Sequence, residues 1–350
     1  MYHHLLHRIL IPQIPPSSSP HKSNLTRVGI SNLNCIQMDG GGVDSDGRAF
    51  TSAEEMWREA VGDGDPLKKS QWYSEGVGYW QGVEATVDGV LGGYGHVNKP
   101  DIKCSEAFLN SILAERFPDA GKGRRLVTLD CGSGIGRITK NLLIRYFNEV
   151  DLLEPVSHFL DTARENLAPE NLMVTDDHKA VNFFCVSLQA RCSLLLVFIL
   201  FILDALVLLY DVNFSRLIDN QYNLEFTPEA ERYDIIWIQW CIGHLSDDDL
   251  MSFFDRAKGG LKQGGLFILK ENIARSGFVL DNQDKSITRS DSYFKQLFKK
   301  CGLNILKMKD QKGFPGQLFA VKMYALTTDL PKQTINSKSK KHVNRPGIIR

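Results

Sequence analysis

The sequence predicts an α/β fold in which a helical N-terminal region precedes a largely parallel sheet. Three observations predict it. Short apolar segments alternate with segments of helical spacing over residues 124–188, the same alternation resumes at Tyr233, and a glycine-rich loop joins the first of these strands to the first helix. Strands that alternate with helices form a parallel sheet, because each helix returns the chain to the edge from which the next strand starts.

Composition and charge narrow the class of protein. The chain has 350 residues, of which 43% are hydrophobic and 23% charged, as is typical of a globular protein. Its 41 Lys and Arg residues balance 41 Asp and Glu residues, and without a basic excess we expect no nucleic-acid partner. The 7 cysteines never take CxxC spacing, so we expect no metal site. Scattered single thiols suit a reducing compartment, and we expect the cytoplasm and nucleus.

The first and last segments of the chain lack the patterns of folded structure. Met1–Gln37 contains no Asp or Glu, as in a transit peptide, but its prolines argue against a presequence helix. We therefore predict that residues 1–50 are a disordered leader, or an upstream extension of a protein that starts at Met38. The polar, basic residues 329–350 are predicted to form a disordered tail.

Two regions between these ends carry the predicted elements. Residues 51–120 form a helical region that opens with a capping box of Ser52 and Glu55. Residues 121–328 form the main domain. There we predict strands at 125–130, 149–153, 181–186, 234–239 and 266–270, helices at 136–146, 158–167, from 246 and from 290, and a closing antiparallel pair at 303–308 and 317–326.

An apolar segment interrupts the main domain at residues 190–224. Within it, Ser193–Tyr210 is nearly continuous apolar sequence at the lower length limit of a membrane span. The segment could cross a membrane, dock on its surface, or be an accidental insertion such as a translated intron. A single crossing would separate two halves of one sheet, and an exposed apolar stretch favours aggregation. We favour the accidental insertion, and we expect no membrane partner unless residues 193–210 are a genuine part of the protein.

A glycine loop, Asp130-x-Gly132-x-Gly134-x-x-Arg137, follows the first predicted strand. Glycines let a ligand approach the backbone, and the next helix offers free N–H groups. Glu154 ends the second strand, where a carboxylate accepts hydrogen bonds from a ribose. A tight turn beside a surface charge is the alternative, but the flanking strands favour a nucleoside ligand. The acidic residue before the first glycine would repel a pyrophosphate and suits a cationic methionine amine, so charge favours S-adenosylmethionine over a nicotinamide cofactor.

Two further clusters follow later strands, where an open α/β sheet binds its ligands. In the first, Gln239 can face the cofactor, Trp240 offers a flat wall for a cationic or prolyl group, and His244 is a candidate base. The alternative is that Trp240 and His244 only cap the core. In the second cluster, over residues 270–286, carboxylates could hold a protonated amine or take its proton. The alternative there is an ordinary solvated loop.

Several longer strings extend these patterns. They are Tyr79-Trp80, TVDGVLGGYGH from Thr86, LDCGSGIGRITK from Leu129, WIQWCIGHL from Trp237, and Lys270-Glu271-Asn272 with Leu280-Asp281. Through them the chain resembles the eukaryotic α-N-terminal protein methyltransferases, which act on Xaa-Pro-Lys N-termini. The resemblance covers about residues 70–189 and 225–326.

The resemblance implies a fold, a cofactor and a set of site residues. The fold would be the seven-stranded, Rossmann-like class I methyltransferase sheet with an N-terminal helical extension, and the cofactor would be S-adenosylmethionine. Cofactor contacts would be Gly132, Arg137, Glu154, Leu188, Gln189 and Gln239. The peptide channel would use Trp80, Leu91, Tyr94 and Trp240. Asn272 would orient the substrate N-terminus, and Asp284 with His244 would assist loss of its proton. Asp281 with Ser286 would hold the lysine at substrate position three.

The chain departs from the family pattern at one place. In the family, Leu188-Gln189 is followed almost directly by the stretch that begins here at Phe226. The insertion at 190–224 therefore follows two implied cofactor contacts, and we expect a version that lacks it to be the active form. Two rival functions are a small-molecule N- or O-methyltransferase, which would not need Asp281 and Asp284 together, and an inactive membrane-associated scaffold.

Overall fold

The computed structural model describes the protein over residues 40–169, 178–189 and 226–329. The apolar insertion at 190–224 lies outside these ranges, as do residues 1–39 and the predicted tail 329–350 apart from Asp329. Within the described ranges, no helix is long and apolar enough to cross a membrane.

Strands and helices alternate through most of the chain. The strands are β1 (Gly42–Asp44), β2 (Ala49–Phe50), β3 (Val127–Cys131), β4 (Glu149–Leu153), β5 (Lys179–Phe184), β6 (Tyr233–Gln239), β7 (Leu261–Ile273), β8 (Phe278–Asp281), β9 (Ser286–Arg289), β10 (Asn304–Asp310) and β11 (Ala320–Thr327). The helices are α1 (Ala53–Ala60), α2 (Pro66–Gln81), α3 (Val87–Val90), α4 (Asn98–Arg116), α5 (Arg137–Asn141), α6 (Ser157–Asn166), α7 (Asp247–Ala257) and α8 (Asp291–Lys300).

A seven-stranded sheet forms the centre of the molecule, in the order β10-β11-β7-β6-β3-β4-β5. Neighbouring strands pair in parallel, except that β11 is antiparallel to both β7 and β10. Helices cover both faces. In β6, Ile236 and Ile238 join one core cluster while Ile235 and Trp237 join the other, because successive side chains of a strand point to opposite faces. The predicted α/β fold, its seven-stranded sheet and the closing antiparallel pair are confirmed.

The predicted helix at 136–146 is interrupted. Helix α5 ends at Asn141, and a single 3₁₀ turn covers Leu143–Arg145. Leu142, at the break, has φ −135° and ψ −66°. Leu142, Leu143 and Ile144 are all fully buried. Three consecutive residues cannot share one face of a regular α-helix, so the break lets all three reach the core.

A smaller, four-stranded sheet has the order β2-β1-β8-β9. Strand β1 runs parallel to β8, and the other neighbours are antiparallel. The prediction that residues 1–50 are a disordered leader is therefore wrong for Gly42–Phe50, which form a folded hairpin. Its strands of 3 and 2 residues are too short for a period-two pattern, and their partner β8 lies far along the chain.

Candidate active site

The glycine loop between β3 and α5 folds over the end of β4. The N–H groups of Gly132 and Ser133 donate to the carbonyl oxygen of Leu153 at 2.8 and 3.0 Å. Gly132 has φ 65°, a left-handed conformation that glycine adopts without a steric penalty. A Cβ atom at Gly132 would lie 2.3 Å from the Cβ of Cys241, just past β6. The missing side chain at Gly132 therefore lets the glycine loop contact both the end of β4 and the segment that follows β6.

A cavity, here called the glycine-loop cavity, opens at this edge. Its lining includes every residue that the resemblance implied as a cofactor contact: Gly132, Arg137, Glu154, Leu188, Gln189 and Gln239. It also includes Ser133, Val156 and Phe159, which the sequence reasoning missed. Val156 and Phe159 follow Glu154 on the approach to α6 and within it, and a search for apolar residues after each strand end could have found them.

Two buried carboxyl groups line the glycine-loop cavity. Glu154 accepts hydrogen bonds from the backbone N–H groups of Gly134 and Val156, each at 2.9 Å. Asp130 accepts one from the hydroxyl of Thr139 at 2.6 Å. Burial raises the pKa of Asp130 and of Glu154 to about 7, although these hydrogen bonds favour the charged forms. A cation bound beside them would lower both pKa values.

Arg137 and Gln239 also belong to a buried network around Asp101 of α4. Arg137 Nη1 lies 2.7 Å from one Asp101 oxygen, and Lys270 Nζ lies 2.5 Å from the other. The side-chain amide of Gln239 donates to both oxygens at 3.1 Å. Burial by itself would raise the pKa of Asp101, but the two cations hold it below its usual range. The polar ends of Arg137 and Gln239 are thus paired within the protein while both residues line the cavity.

A second cavity, here called the hairpin cavity, lies between the end of β7, the β8–β9 hairpin, the segment 90–97 that precedes α4, and residues 314–321 at the start of β11. Its lining includes most of the residues implied for substrate and catalysis: Trp80, Leu91, Trp240, His244, Asn272, Asp281, Asp284 and Ser286. Tyr94, expected in the channel, is not among the described residues that line either cavity. Its side chain instead packs against Leu91, Val97 and Leu318.

The turn between β8 and β9 brings the polar residues of the hairpin cavity together. Asp281 accepts hydrogen bonds from the backbone N–H groups of Gln283 at 2.8 Å and Asp284 at 3.4 Å. Ser286 donates its hydroxyl to Asp284 at 2.6 Å. The resemblance paired Ser286 with Asp281. These two residues are cross-strand neighbours, but the side-chain hydrogen bond joins Ser286 to Asp284, which is 3% exposed.

The two cavities meet at Trp80, Val90, Trp240 and His244, which line both of them. Trp80 Nε1 donates to His244 Nε2 at 3.1 Å, and His244 Nδ1 lies 3.2 Å from the carbonyl oxygen of Lys285. Because a carbonyl oxygen only accepts, the proton of a neutral imidazole resides on Nδ1. His244 can act as a base in this arrangement only if Trp80 releases Nε2.

Trp240 has a left-handed backbone, with φ 56°, directly after β6. The guanidinium carbon of Arg137 lies 5.5 Å from the centre of its ring. At this distance the guanidinium and the ring form a favourable cation–π interaction. The network around Asp101 therefore extends to the aromatic wall between the two cavities.

S-adenosylmethionine fits the residues of the glycine-loop cavity. The hydroxyl oxygen of Ser133 is buried in its lining and has no hydrogen-bond partner within the described part of the chain. Asp130 and Glu154 match a ligand that carries a sulfonium, an ammonium and a ribose diol. The seven-stranded sheet with antiparallel β11, the glycine loop and the acidic end of β4 define a class I S-adenosylmethionine-dependent methyltransferase.

Comparison with known proteins identifies the family. The family described as AdoMet dependent proline di-methyltransferase matches residues 68–193 and 217–327. Alpha N-terminal protein methyltransferase 1 of Arabidopsis thaliana is 58% identical over 314 residues, which span 89% of this chain and 100% of that protein. N-terminal Xaa-Pro-Lys N-methyltransferase 1 of Homo sapiens is 35% identical over 258 residues, 74% of this chain and 96% of that protein. The chain belongs to the α-N-terminal protein methyltransferase family. The predicted activity, S-adenosylmethionine-dependent methylation of Xaa-Pro-Lys protein N-termini, is thereby confirmed.

A solved structure agrees with this assignment. A SAM-dependent methyltransferase from Leishmania major superposes with a TM-score of 0.65 and 32% sequence identity, and the match covers 85% of this chain and 100% of that one. The residues matched by the family model leave out 194–216, which lie within the apolar insertion.

Proposed function

We propose that the protein transfers methyl groups to the α-amino group of protein N-termini of the Ala-, Pro- or Ser-Pro-Lys type, in the cytoplasm and nucleus. The meeting of the two cavities at Trp80, Trp240 and His244 is the observation that supports this most. One cavity has the lining of a cofactor site, and the other presents the carboxyl groups of Glu271, Asp281 and Asp284 beside apolar side chains, which suits a cationic peptide end. When bound, S-adenosylmethionine supplies an electrophilic methyl group.

The glycine-loop cavity would hold the cofactor through its polar lining. Glu154 would accept hydrogen bonds from the ribose hydroxyls, because each of its oxygens has a further lone pair beyond the backbone bond that it accepts. Asp130 and the hydroxyl of Ser133 would bind the methionine end. Gly132, Leu188 and Gln189 shape the cavity, and Arg137 and Gln239 keep its wall in place through Asp101.

The hairpin cavity would bind the substrate amine, and a carboxylate in its lining would take the proton of that amine. An α-amino group has a pKa of about 7.7–8.0, so much of it is protonated near neutral pH and must lose a proton to become a nucleophile. Asp284 would accept that proton, with its carboxylate oriented by the hydroxyl of Ser286. His244 would hold Trp80 in place and assist once Nε2 is released. Asn272, at the end of β7, would orient the amine.

The rest of the peptide would lie along the same cavity. Leu91 and Trp240 offer apolar surface to the proline at position two. Asp281 would attract the ammonium of the lysine at position three, and this charge pairing would select lysine over a neutral side chain. Tyr94 would support this wall through its contact with the cluster of Leu91.

A competition experiment tests this proposal against a small-molecule methyltransferase. The protein is incubated with methyl-labelled S-adenosylmethionine, a Ser-Pro-Lys peptide and a pool of low-molecular-mass metabolites. We expect the label in the peptide, with much less label in a matched Ser-Pro-Gln peptide. Label confined to the metabolites would contradict the proposal.

A further inference from the structure

The N-terminal hairpin Gly42–Phe50 docks on the strand that carries Asp281. Val43 and Asp44 of β1 pair in parallel with Val279 and Leu280 of β8. The ladder continues one residue further, where the N–H of Ser45 donates to the carbonyl oxygen of Leu280 at 2.8 Å. Strand β8 therefore has a partner on both sides, β1 on one and β9 on the other.

Asn282, the residue after Asp281, is tied to the turn of this hairpin. Its backbone N–H donates to the hydroxyl of Ser45 at 3.2 Å. Its side-chain amide donates to Asp44 at 3.1 Å and to Asp46 at 2.7 Å. The buried Asp44 also accepts hydrogen bonds from backbone N–H groups of its own turn, so a preformed turn contacts the loop between β8 and β9.

The absence of a side chain at Gly42 lets β1 lie close to Phe278 of β8. A Cβ atom at Gly42 would lie 2.5 Å from the ring and from the carbonyl oxygen of Phe278. The ring of Phe50, in β2, lies 6.1 Å from that of Phe278. A side chain at position 42 would therefore push β1 away from β8 or displace Phe278.

Ser45 lines the hairpin cavity together with Asp281 and Asp284. No described residue of the hairpin Gly42–Phe50 lines the glycine-loop cavity. The hairpin also lies before residue 68, where the match to the family model begins. Its contacts thus bear on the peptide side of the site and not on the cofactor side.

We propose that the hairpin Gly42–Phe50 is a positioning element for peptide binding, which holds Asp281 and the β8–β9 turn in place and adds Ser45 to the channel wall. This inference rests on the proposed function. Without β1, strand β8 would be an edge strand whose turn must be ordered each time a peptide binds, at a cost in conformational entropy. The peptide KM should rise, while kcat and the cofactor affinity should change little.

Matched glycine substitutions test the hairpin. Gly42→Ala places a Cβ against Phe278, whereas Gly78→Ala, on α2, meets nothing within 4 Å. We expect Gly42→Ala to raise the KM for a Ser-Pro-Lys peptide at least fivefold, with kcat and the S-adenosylmethionine Kd within twofold of wild type. Gly78→Ala should leave all three unchanged. An equal peptide KM for the two variants would overturn the inference.

A second variant keeps the test decisive if Gly42→Ala does not fold. Asn282→Ala removes the side-chain bonds to Asp44 and Asp46 and leaves the strands intact. We expect it to raise the peptide KM in the same direction, and an unchanged KM would count against the inference. The substitutions are made in the full chain and in a chain that lacks residues 190–224, and KM is compared within whichever chain is active. If neither wild-type chain methylates an Xaa-Pro-Lys peptide, the proposed function fails, which is a different outcome from equal KM values in an active enzyme.

Discussion

At the scale of single residues, buried carboxyl groups line the proposed cofactor site. The sequence predicted that Asp130, before the glycine loop, and Glu154, at the end of the second strand, face a nucleoside ligand. Both line the glycine-loop cavity. Burial raises the pKa of both to about 7, so neither is fully ionised at neutral pH until a partner favours the charged form.

We predict that S-adenosylmethionine binds more weakly as the pH falls from about 8 to about 6. Binding favours the ionised carboxylates, so it releases protons wherever the free protein still holds them. Affinity should fall by up to about tenfold per pH unit for each carboxyl that must ionise. Calorimetry in buffers of different ionisation enthalpy measures both the Kd and the protons released. An affinity that does not vary over this range would contradict the carboxylate roles.

Asp284 gives a second prediction at the residue scale. Asp284→Asn keeps the shape of the side chain and its contact with Ser286, but removes the proton acceptor. We expect kcat to fall by about 10²–10⁴-fold, the usual contribution of a general base. The residual rate should rise with pH to about 8, where the α-amine deprotonates without help. Unchanged kcat, with unchanged cofactor affinity, would remove Asp284 from catalysis.

At the scale of elements, a position in the glycine loop can require glycine for two reasons, a left-handed backbone and close packing against a neighbour. Gly132 and Gly134 both have positive φ, 65° and 53°. A Cβ at Gly132 would lie 2.3 Å from Cys241, whereas the nearest atom to one at Gly134 is 4.0 Å away. Only Gly132 is therefore also required by close packing.

We predict a larger loss of stability for Gly132→Ala than for Gly134→Ala. Both place an L side chain in a left-handed conformation, at about 1–2 kcal/mol. Only Gly132→Ala adds an overlap, for which about 1–3 kcal/mol is expected. Urea unfolding of the two variants measures the difference in the free energy of unfolding. Equal values would show that the loop can move away from Cys241.

The elements that could be predicted from the sequence are those with long, regular patterns. The parallel strands were visible because continuous apolar runs mark strands that are covered on both faces. The hairpin at Gly42–Phe50 was missed because its few residues gain their pairing from β8. The network around Asp101 was missed too, because its partners Arg137 and Lys270 lie 36 and 169 residues along the chain, and no local pattern joins them.

At the scale of the whole molecule, the described residues show what flanks the apolar segment. Arg256 donates to the carbonyl oxygen of Leu188 at 2.6 Å and to that of Phe226 at 3.4 Å. The guanidinium group of Arg256 thus donates hydrogen bonds to one backbone carbonyl before the segment 190–225 and to one after it. Leu188 and Phe226 also share one core cluster. A short connection between Gln189 and Phe226 is therefore compatible with the fold.

We predict that a chain that lacks residues 190–224 folds, binds S-adenosylmethionine and methylates a Ser-Pro-Lys peptide faster than the full chain. The apolar stretch follows directly in sequence on Leu188 and Gln189, which we propose line the cofactor site, and apolar sequence of this length favours aggregation. Soluble yield and initial rates of both chains, measured side by side, test this. Equal rates for the full chain would contradict the view that the insertion disables the enzyme.

The family and the two cavities together indicate that the protein methylates an α-amino group. Tandem mass spectrometry of a Ser-Pro-Lys peptide, after incubation with S-adenosylmethionine and either chain, locates the added methyl groups directly. We predict that they lie on the N-terminal nitrogen, that the lysine side chain stays unmodified, and that an N-acetylated peptide gains none. Methyl groups on the lysine, or none on the peptide with either chain, would contradict it.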